Sequence, residues 1–228
     1  MRSMKAVLAG FALALAAPAL AAPAAPAPDH RSALLESSDG WTFGKAGAPL
    51  LTEYASFGCP HCGQYAAAAG PRIDALVKAG TLRFSWRPFL IFPQDRAAAV
   101  LTRCIAPARR LGFIEELMAQ QAAIRAALTA ADQDQSLRGA LYEAELRGPI
   151  DQAKVIAGQS GMIPLAARFG VTKAQADACL ANPVHHAWVS NADMSARLNG
   201  VTGTPTFVWK GARLPAGTPD DLLALLPQ

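Results

Sequence analysis

Cys59-Pro60-His61-Cys62 sits where a run that reads as a strand meets one that reads as a helix. A cysteine at a helix amino terminus meets unpaired N–H groups and partial positive charge, so its thiolate is favoured over its thiol. Pro60 fits the first helical turn, where its missing N–H has no helical partner. His61, when protonated, would add positive charge beside the same sulfur. Cys62 lies one turn on, close enough to close a disulfide. A stabilised Cys59 thiolate favours the reduced pair and makes the disulfide an oxidant of other thiols. Two other uses of such a pair are half of a zinc site and an inert structural disulfide. Zinc would need two more ligands, and Cys104 and Cys179 stand as isolated singles.

The flanking pattern is that of an α/β protein. Pro49–Ser56 reads as a buried strand, with Leu51, Glu53 and Ala55 on one face. The Ala-rich stretch from Pro60 to Lys78 reads as a helix bent at Gly70-Pro71 and closed by Gly80. Leu82, Phe84 and Trp86 alternate with Arg83, Ser85 and Arg87 in a second clear strand, and Trp41–Phe43 reads as a short earlier one. From Asp95 to Gly200 the chain turns to Ala, Leu, Gln, Glu and Arg, broken by Pro107, Gly112, Gly148, Gly161, Pro164, Gly170 and Pro183, which predicts several short helices. Strand chemistry returns over Val201–Trp209, followed by a brief strand at Ala212–Leu214 and a helix at Asp220–Leu226. A helical block between two halves of one sheet is an insertion. The expected division is 35–94 and 201–228 for the two parts of the α/β unit and 95–200 for the insertion.

Upstream, Arg2 and Lys5, the apolar run Ala6–Leu15 and the small residues Ala19-Leu20-Ala21 match a secretory signal peptide, cleaved near Ala21. A Pro/Ala-rich linker over 22–34 would follow. Export predicts a compartment where disulfides form. There two spare thiols invite wrong pairing, so Cys104 and Cys179 are expected to form a structural bridge, with two buried free thiols or a second redox pair as alternatives. The chain has 228 residues, 52% hydrophobic and 17% charged, which excludes a disordered or collagen-like polymer. Its net charge of +4 includes Arg2 and Lys5 and comes with no dense basic cluster, so no nucleic-acid partner is expected. The His185-His186 pair is not a ligand set, because adjacent helical residues point in different directions. Phe57, Phe89, Leu90 and Phe92 fit core positions better than an apolar rim for substrates.

The segment Leu51-Thr52-Glu53-Tyr54-Ala55-Ser56-Phe57-Gly58-Cys59-Pro60-His61-Cys62, taken with Val201-Thr202-Gly203-Thr204-Pro205-Thr206-Phe207, resembles the DsbA-like thiol:disulfide oxidoreductases. The resemblance implies a thioredoxin fold with an inserted all-helical domain. It implies that Cys59 and Cys62 are the redox pair, that Pro60 and His61 tune them, and that Pro205 is a cis-proline. With Gly203 and Thr204 it would form a loop that pairs with an extended substrate strand. An ordinary strand-entry turn is the plainer reading of that loop. Glu53 falls where the family buries an acid that moves protons for the second cysteine; a surface glutamate at a strand end is the alternative. The resemblance further implies a periplasmic dithiol oxidase without a cofactor, acting as a monomer on unfolded or reduced exported proteins and reoxidised by a DsbB-type quinone-linked membrane oxidase. Two rivals are a disulfide reductase or isomerase kept reduced by a membrane donor, and a metal-binding module using Cys59, Cys62 and His61. Thr204 stands where the best-known oxidases have valine and is closer to the isomerases and reductases. The isomerases' amino-terminal dimerisation domain, however, has no room between the leader and residue 35.

Overall fold

A computed structural model describes residues 35–215 and 217–227. The signal peptide and the linker predicted over 1–34 lie outside the described residues. One mixed sheet carries the fold. Its strands are β1 (Leu35–Ser37), β2 (Gly40–Phe43), β3 (Leu50–Ala55), β4 (Arg83–Pro88), β5 (Thr206–Trp209) and β6 (Ala212–Arg213), in the order β1-β2-β4-β3-β5-β6. The central pair β3 and β4 is parallel, with Glu53 level with Trp86, and its connection is helix α1 (Pro60–Lys78). All other pairings are antiparallel. Every residue of β3 after Leu50 is buried, because helices cover both faces of the sheet centre. One face packs on α1, α3 (Pro107–Ala119) and α10 (Pro219–Leu225). The other meets the end of α9 (Pro183–Leu198) through the cluster of Tyr54, Phe89, Ala196 and Val201.

The chain from β4 to β5 is all helix: α2 (Asp95–Cys104), α3, α4 (Gln121–Gln133), α5 (Gln135–Arg147), α6 (Pro149–Gln159), α7 (Met162–Arg168), α8 (Lys173–Ala181) and α9. Return of the chain to pair β5 with β3 makes this block an insertion in one sheet, as expected. The prolines mark beginnings more than breaks. Pro107, Pro149, Pro183 and Pro219 open helices, and Pro164 falls in the first turn of α7, where a missing N–H costs nothing. Asp134, Asn182 and the capping boxes Thr172–Gln175 and Thr218–Asp221 bind first-turn N–H groups. Helix α1 continues through Pro71 as one element.

Two helix ends aim the site. At the end of α1, Gly80 has φ +72°, its N–H bonds Val77 O, and Thr81 N–H bonds Leu76 O, which turns the chain into β4. At the end of α9, Gly200 repeats this geometry, with φ +72° and Val201 N–H on Ala196 O, and sends residues 201–205 toward α1. That segment is a loop, so β5 starts five residues later than the residue pattern predicts. Proline has no N–H for a ladder, and the Thr206 hydroxyl turns back to Gly203 O at 2.8 Å.

The pattern also hid strand β1. Its Glu36 pairs with Arg103 (3.0 Å) and Arg110 (3.2 Å) of the helical block, and Trp188 of α9 donates to Ser37 O. The same arginines lie over Trp188 and Trp41. These contacts fasten the first strand to the insertion. Cys104, at the end of α2, is joined by a disulfide to Cys179 of α8, 75 residues away.

Candidate active site

Cys59 is the residue before the first turn of α1, with extended backbone (φ −74°, ψ 118°), and Pro60 opens the helix. Its N–H bonds Ser56 O, and its carbonyl accepts from Gly63 N–H and from the buried amide of Gln121 on α4. The sulfur faces the loop that ends β5's lead-in: Sγ lies 3.3 Å from Thr204 O, and the Thr204–Pro205 peptide is cis. Cys62 is fully buried beneath Cys59.

The two sulfurs differ sharply in acidity. The Cys59 thiol is lowered to about 5. The largest cause is a hydrogen bond from the Cys62 thiol. Burial opposes it, and the Thr204 hydroxyl and the backbone N–H groups of Cys62 and His61 add to it. Cys62 moves the other way, up, because it donates to Cys59, is buried, and lies near the Glu53 charge. The Thr204 hydroxyl is buried without another partner among the described residues, and it favours the anion at both sulfurs. Pro60 and the His61 side chain are exposed, so what His61 brings to the sulfur is its backbone N–H.

Glu53 lies in the middle of β3, between Trp86 of β4 and Phe207 of β5. It borders a largely apolar cavity walled by Phe84, Trp86, Ile114, Met118 and Phe207. Burial first, and then the Cys59 thiolate, push its carboxyl up from 4.5 to about 8. The group therefore holds a proton at neutral pH next to Cys62.

The structure thus brings together Cys59, Cys62, Glu53, Thr204 and Pro205, with Pro60 and His61 on the rim. Cys104 and Cys179 stand apart as a separate disulfide. Among the described residues, the group of three or more potential metal ligands that converges within 4.8 Å is Cys104, Cys179 and His185, where both sulfurs are committed to each other. His186 is buried against Leu180 O. Phe57 and Phe89 are core residues, 2% and 3% exposed, and the Phe57 ring packs tilted against Trp86, centroids 4.4 Å apart. Ile91 and Phe92 are instead exposed next to the site, at 49% and 37%. Gly58 is small because the Phe92–Gln94 loop covers it: a Cβ there would lie 2.6 Å from Phe92 Cβ and overlap the Gln94 side chain. Two residues escaped the reading of the sequence, Gln121 and Asp95. Both sit in helical pattern whose approach to Cys59 is tertiary.

A family model described as thioredoxin matches residues 36–228. The chain belongs to the thioredoxin family. Its structural neighbours are DsbA-like proteins. The crystal structure of a protein-disulfide isomerase from Novosphingobium aromaticivorans superposes with a TM-score of 0.69 at 23% identity, covering 82% of this chain and 97% of that one. Wolbachia pipientis alpha-DsbA1 gives 0.62 at 16% identity, over 84% and 90%. The thiol-disulfide oxidoreductase MdbA of Actinomyces oris gives 0.53 at 20% identity, over 83% and 85%. No curated protein sequence matches. At these identities the likeness establishes the shared fold: a thioredoxin sheet interrupted by a helical domain. Among the described residues, no helix is long and apolar enough to cross a membrane.

Proposed function

We propose that this thioredoxin-family protein is a thiol:disulfide oxidoreductase that introduces disulfides into exported proteins through Cys59 and Cys62. The observation that carries the reading is the opposed acidity of two cysteines one turn apart, facing the cis Thr204–Pro205 loop. A substrate thiolate attacks Cys59 of the oxidised pair. The Cys59–Cys62 bond breaks and a substrate–Cys59 disulfide forms. The Cys62 thiolate expelled in this step is a poor leaving group, and Glu53 supplies the proton it needs. A second substrate thiolate then attacks the substrate sulfur and expels Cys59, whose stable anion leaves readily. The products are a substrate disulfide and the reduced pair. Backbone at Thr204, 3.3 Å from the reactive sulfur, is placed to hydrogen-bond an extended substrate strand.

The protein acts in the periplasm as a monomer, without a cofactor, and a DsbB-type quinone-linked oxidase restores its disulfide. The structural role proposed for Cys104–Cys179 is to staple α2 to α8, closing a loop of 75 residues in the unfolded chain.

Direction is set by potential. A Cys59 pKa of about 5 leaves its thiolate formed at pH 7, which stabilises the reduced form and makes the disulfide more oxidising. Equilibration of the Cys59–Cys62 couple with glutathione is expected to give a potential above about −200 mV, more oxidising than a thioredoxin. A value near −270 mV reverses the direction to that of a reductase. A reductase or isomerase is the second reading, favoured by a threonine before the cis-proline.

A further inference from the structure

Asp95 opens α2, outside both the Cys59–Cys62 and the Gly203–Pro205 segments, yet it is 1% exposed and lies against the loop that leads into Cys59. Its carboxylate collects hydrogen bonds from two loops, Ser56–Gly58 and Ile91–Phe92. Oδ1 accepts from Gly58 N–H at 3.0 Å and from the Ser56 hydroxyl at 3.0 Å. Oδ2 accepts from the same hydroxyl at 2.8 Å and from the N–H groups of Ile91 and Phe92, each at 2.8 Å. Ser56 in turn accepts Cys59 N–H on its carbonyl and Gly58 N–H on its hydroxyl. Among the described residues no cation pairs with Asp95; its charge is met by N–H and O–H donors alone.

We infer that Asp95 is a positioning residue: one buried carboxylate clasps the Ser56–Gly58 loop to the Ile91–Phe92 loop and so fixes the reactive sulfur against the exposed apolar lip beside it. This rests on the Cys59 chemistry proposed above and deepens it. The side chain touches neither substrate nor sulfur. It acts through Gly58, the residue before Cys59, and so holds the sulfur where the His61 and Cys62 N–H groups reach it. Its second oxygen holds Ile91 and Phe92 outward, where an unfolded chain bound at Thr204 would rest an apolar side chain.

Three of the partners, the Gly58, Ile91 and Phe92 N–H groups, can only donate, and both oxygens accept from at least one of them, so the full clasp requires the anion; a proton aimed at any of these N–H groups loses a bond. Burial raises the group to about 6 against the pull of its own hydrogen bonds. The charged groups around it are Cys59 across the loop, Arg96 on α2, which turns to His186 O and Ser190 of α9, and Asp193 of α9, which holds Leu90 N–H and pairs with Arg197. The clasp is closed above pH 6 and opens below it.

The test compares wild type, Asp95→Asn and Ser56→Ala by the pH dependence of Cys59 alkylation in the reduced protein and by kcat and KM for oxidising reduced, unfolded ribonuclease. The asparagine amide points its own N–H groups at donors and breaks one side of the clasp. Asp95→Asn is expected to raise the Cys59 midpoint by about one pH unit, to remove an inflection near pH 6, and to lower kcat/KM roughly ten-fold with most of the loss in KM. Ser56→Ala keeps the three backbone bonds and is expected to shift each readout in the same direction by about a third as much, which keeps the test alive if Asp95→Asn does not fold. A folded Asp95→Asn protein with the wild-type Cys59 titration and the wild-type KM overturns the proposal, even if its melting temperature falls. The alkylation arm needs no oxidase activity, so an inactive wild type would fail the proposed function and leave the clasp still measurable.

Discussion

Removing either cysteine of the pair is expected to abolish multi-turnover oxidation, by at least about a thousand-fold, and the two variants are expected to fail in opposite ways. Cys62→Ala retains the attacking sulfur, Cys59, against the Thr204 loop. Its Cys59 attacks small disulfides and accumulates as a mixed disulfide, because no second sulfur stands below it to displace the adduct. The same variant loses the Cys62 thiol, which is the largest stabiliser of the Cys59 anion, so its Cys59 titrates higher than in wild type. Cys59→Ser leaves a buried thiol whose acidity is depressed by burial. Its remaining sulfur is expected to react with iodoacetamide at pH 7 at least about 100-fold more slowly than that of Cys62→Ala, even after allowing for the lower intrinsic nucleophilicity of an acidic thiol. Equal reactivity of the two variants would mean that the division of labour between the sulfurs is wrong. Mass spectrometry of each variant after exposure to glutathione disulfide, with alkylation rates alongside, gives the answer.

The second large effect is on stability. Glu53 binds its proton more tightly in the folded chain, at about 8, than an ordinary glutamate near 4.5. Folding therefore has its full share from this group below pH 4.5 and loses it as pH rises toward 8, where a charge must be kept among Trp86, Phe207 and the cavity wall. Glu53→Gln removes that charge. It is expected to lie within about 1 kcal/mol of wild type in urea unfolding at pH 5 and to exceed it at pH 8.5 by about 3 to 5 kcal/mol in the reduced protein. The gain is expected to be smaller in the oxidised protein, because the Cys59 thiolate that adds to the upward shift is then absent. The same variant should turn over more slowly at pH 7, by roughly ten-fold or more, since Cys62 loses its proton source. A stability difference that does not change between pH 5 and 8.5 contradicts the buried, protonated acid.

Much of this site is local and so legible in the residues. Alternation from Leu82 to Arg87 reports a strand because a half-buried ladder demands it. A Cys-Pro start to a helix reports a sulfur at a positive helix end because the backbone places it there. What escaped depends on contacts between distant segments. Asp95 reads as a first-turn acid favoured by the helix dipole, which it is, and nothing nearby says that Gly58 and Ser56 will arrive beside it. Gln121 is one glutamine in a helical block until α4 docks on α1 and its amide meets Cys59 O. Strand β1 has three residues and too little pattern; it is held by Arg103, Arg110 and Trp188 from the insertion. His61 carries a lesson in the other direction. Its charge suggested itself from sequence adjacency, but the helix turns its ring outward and leaves the sulfur to backbone N–H groups and the Cys62 thiol.

The proposed exchange chemistry requires Cys59 to be an anion at neutral pH while Cys62 is not. Ultraviolet absorbance of the thiolate, followed from pH 3 to 10 in the reduced protein and repeated with Cys59→Ser to remove its signal, measures this directly. One ionisation with a midpoint near 5, lost in the variant, is the predicted result. A midpoint between about 8 and 9, that of cysteine in an unstructured peptide, contradicts it.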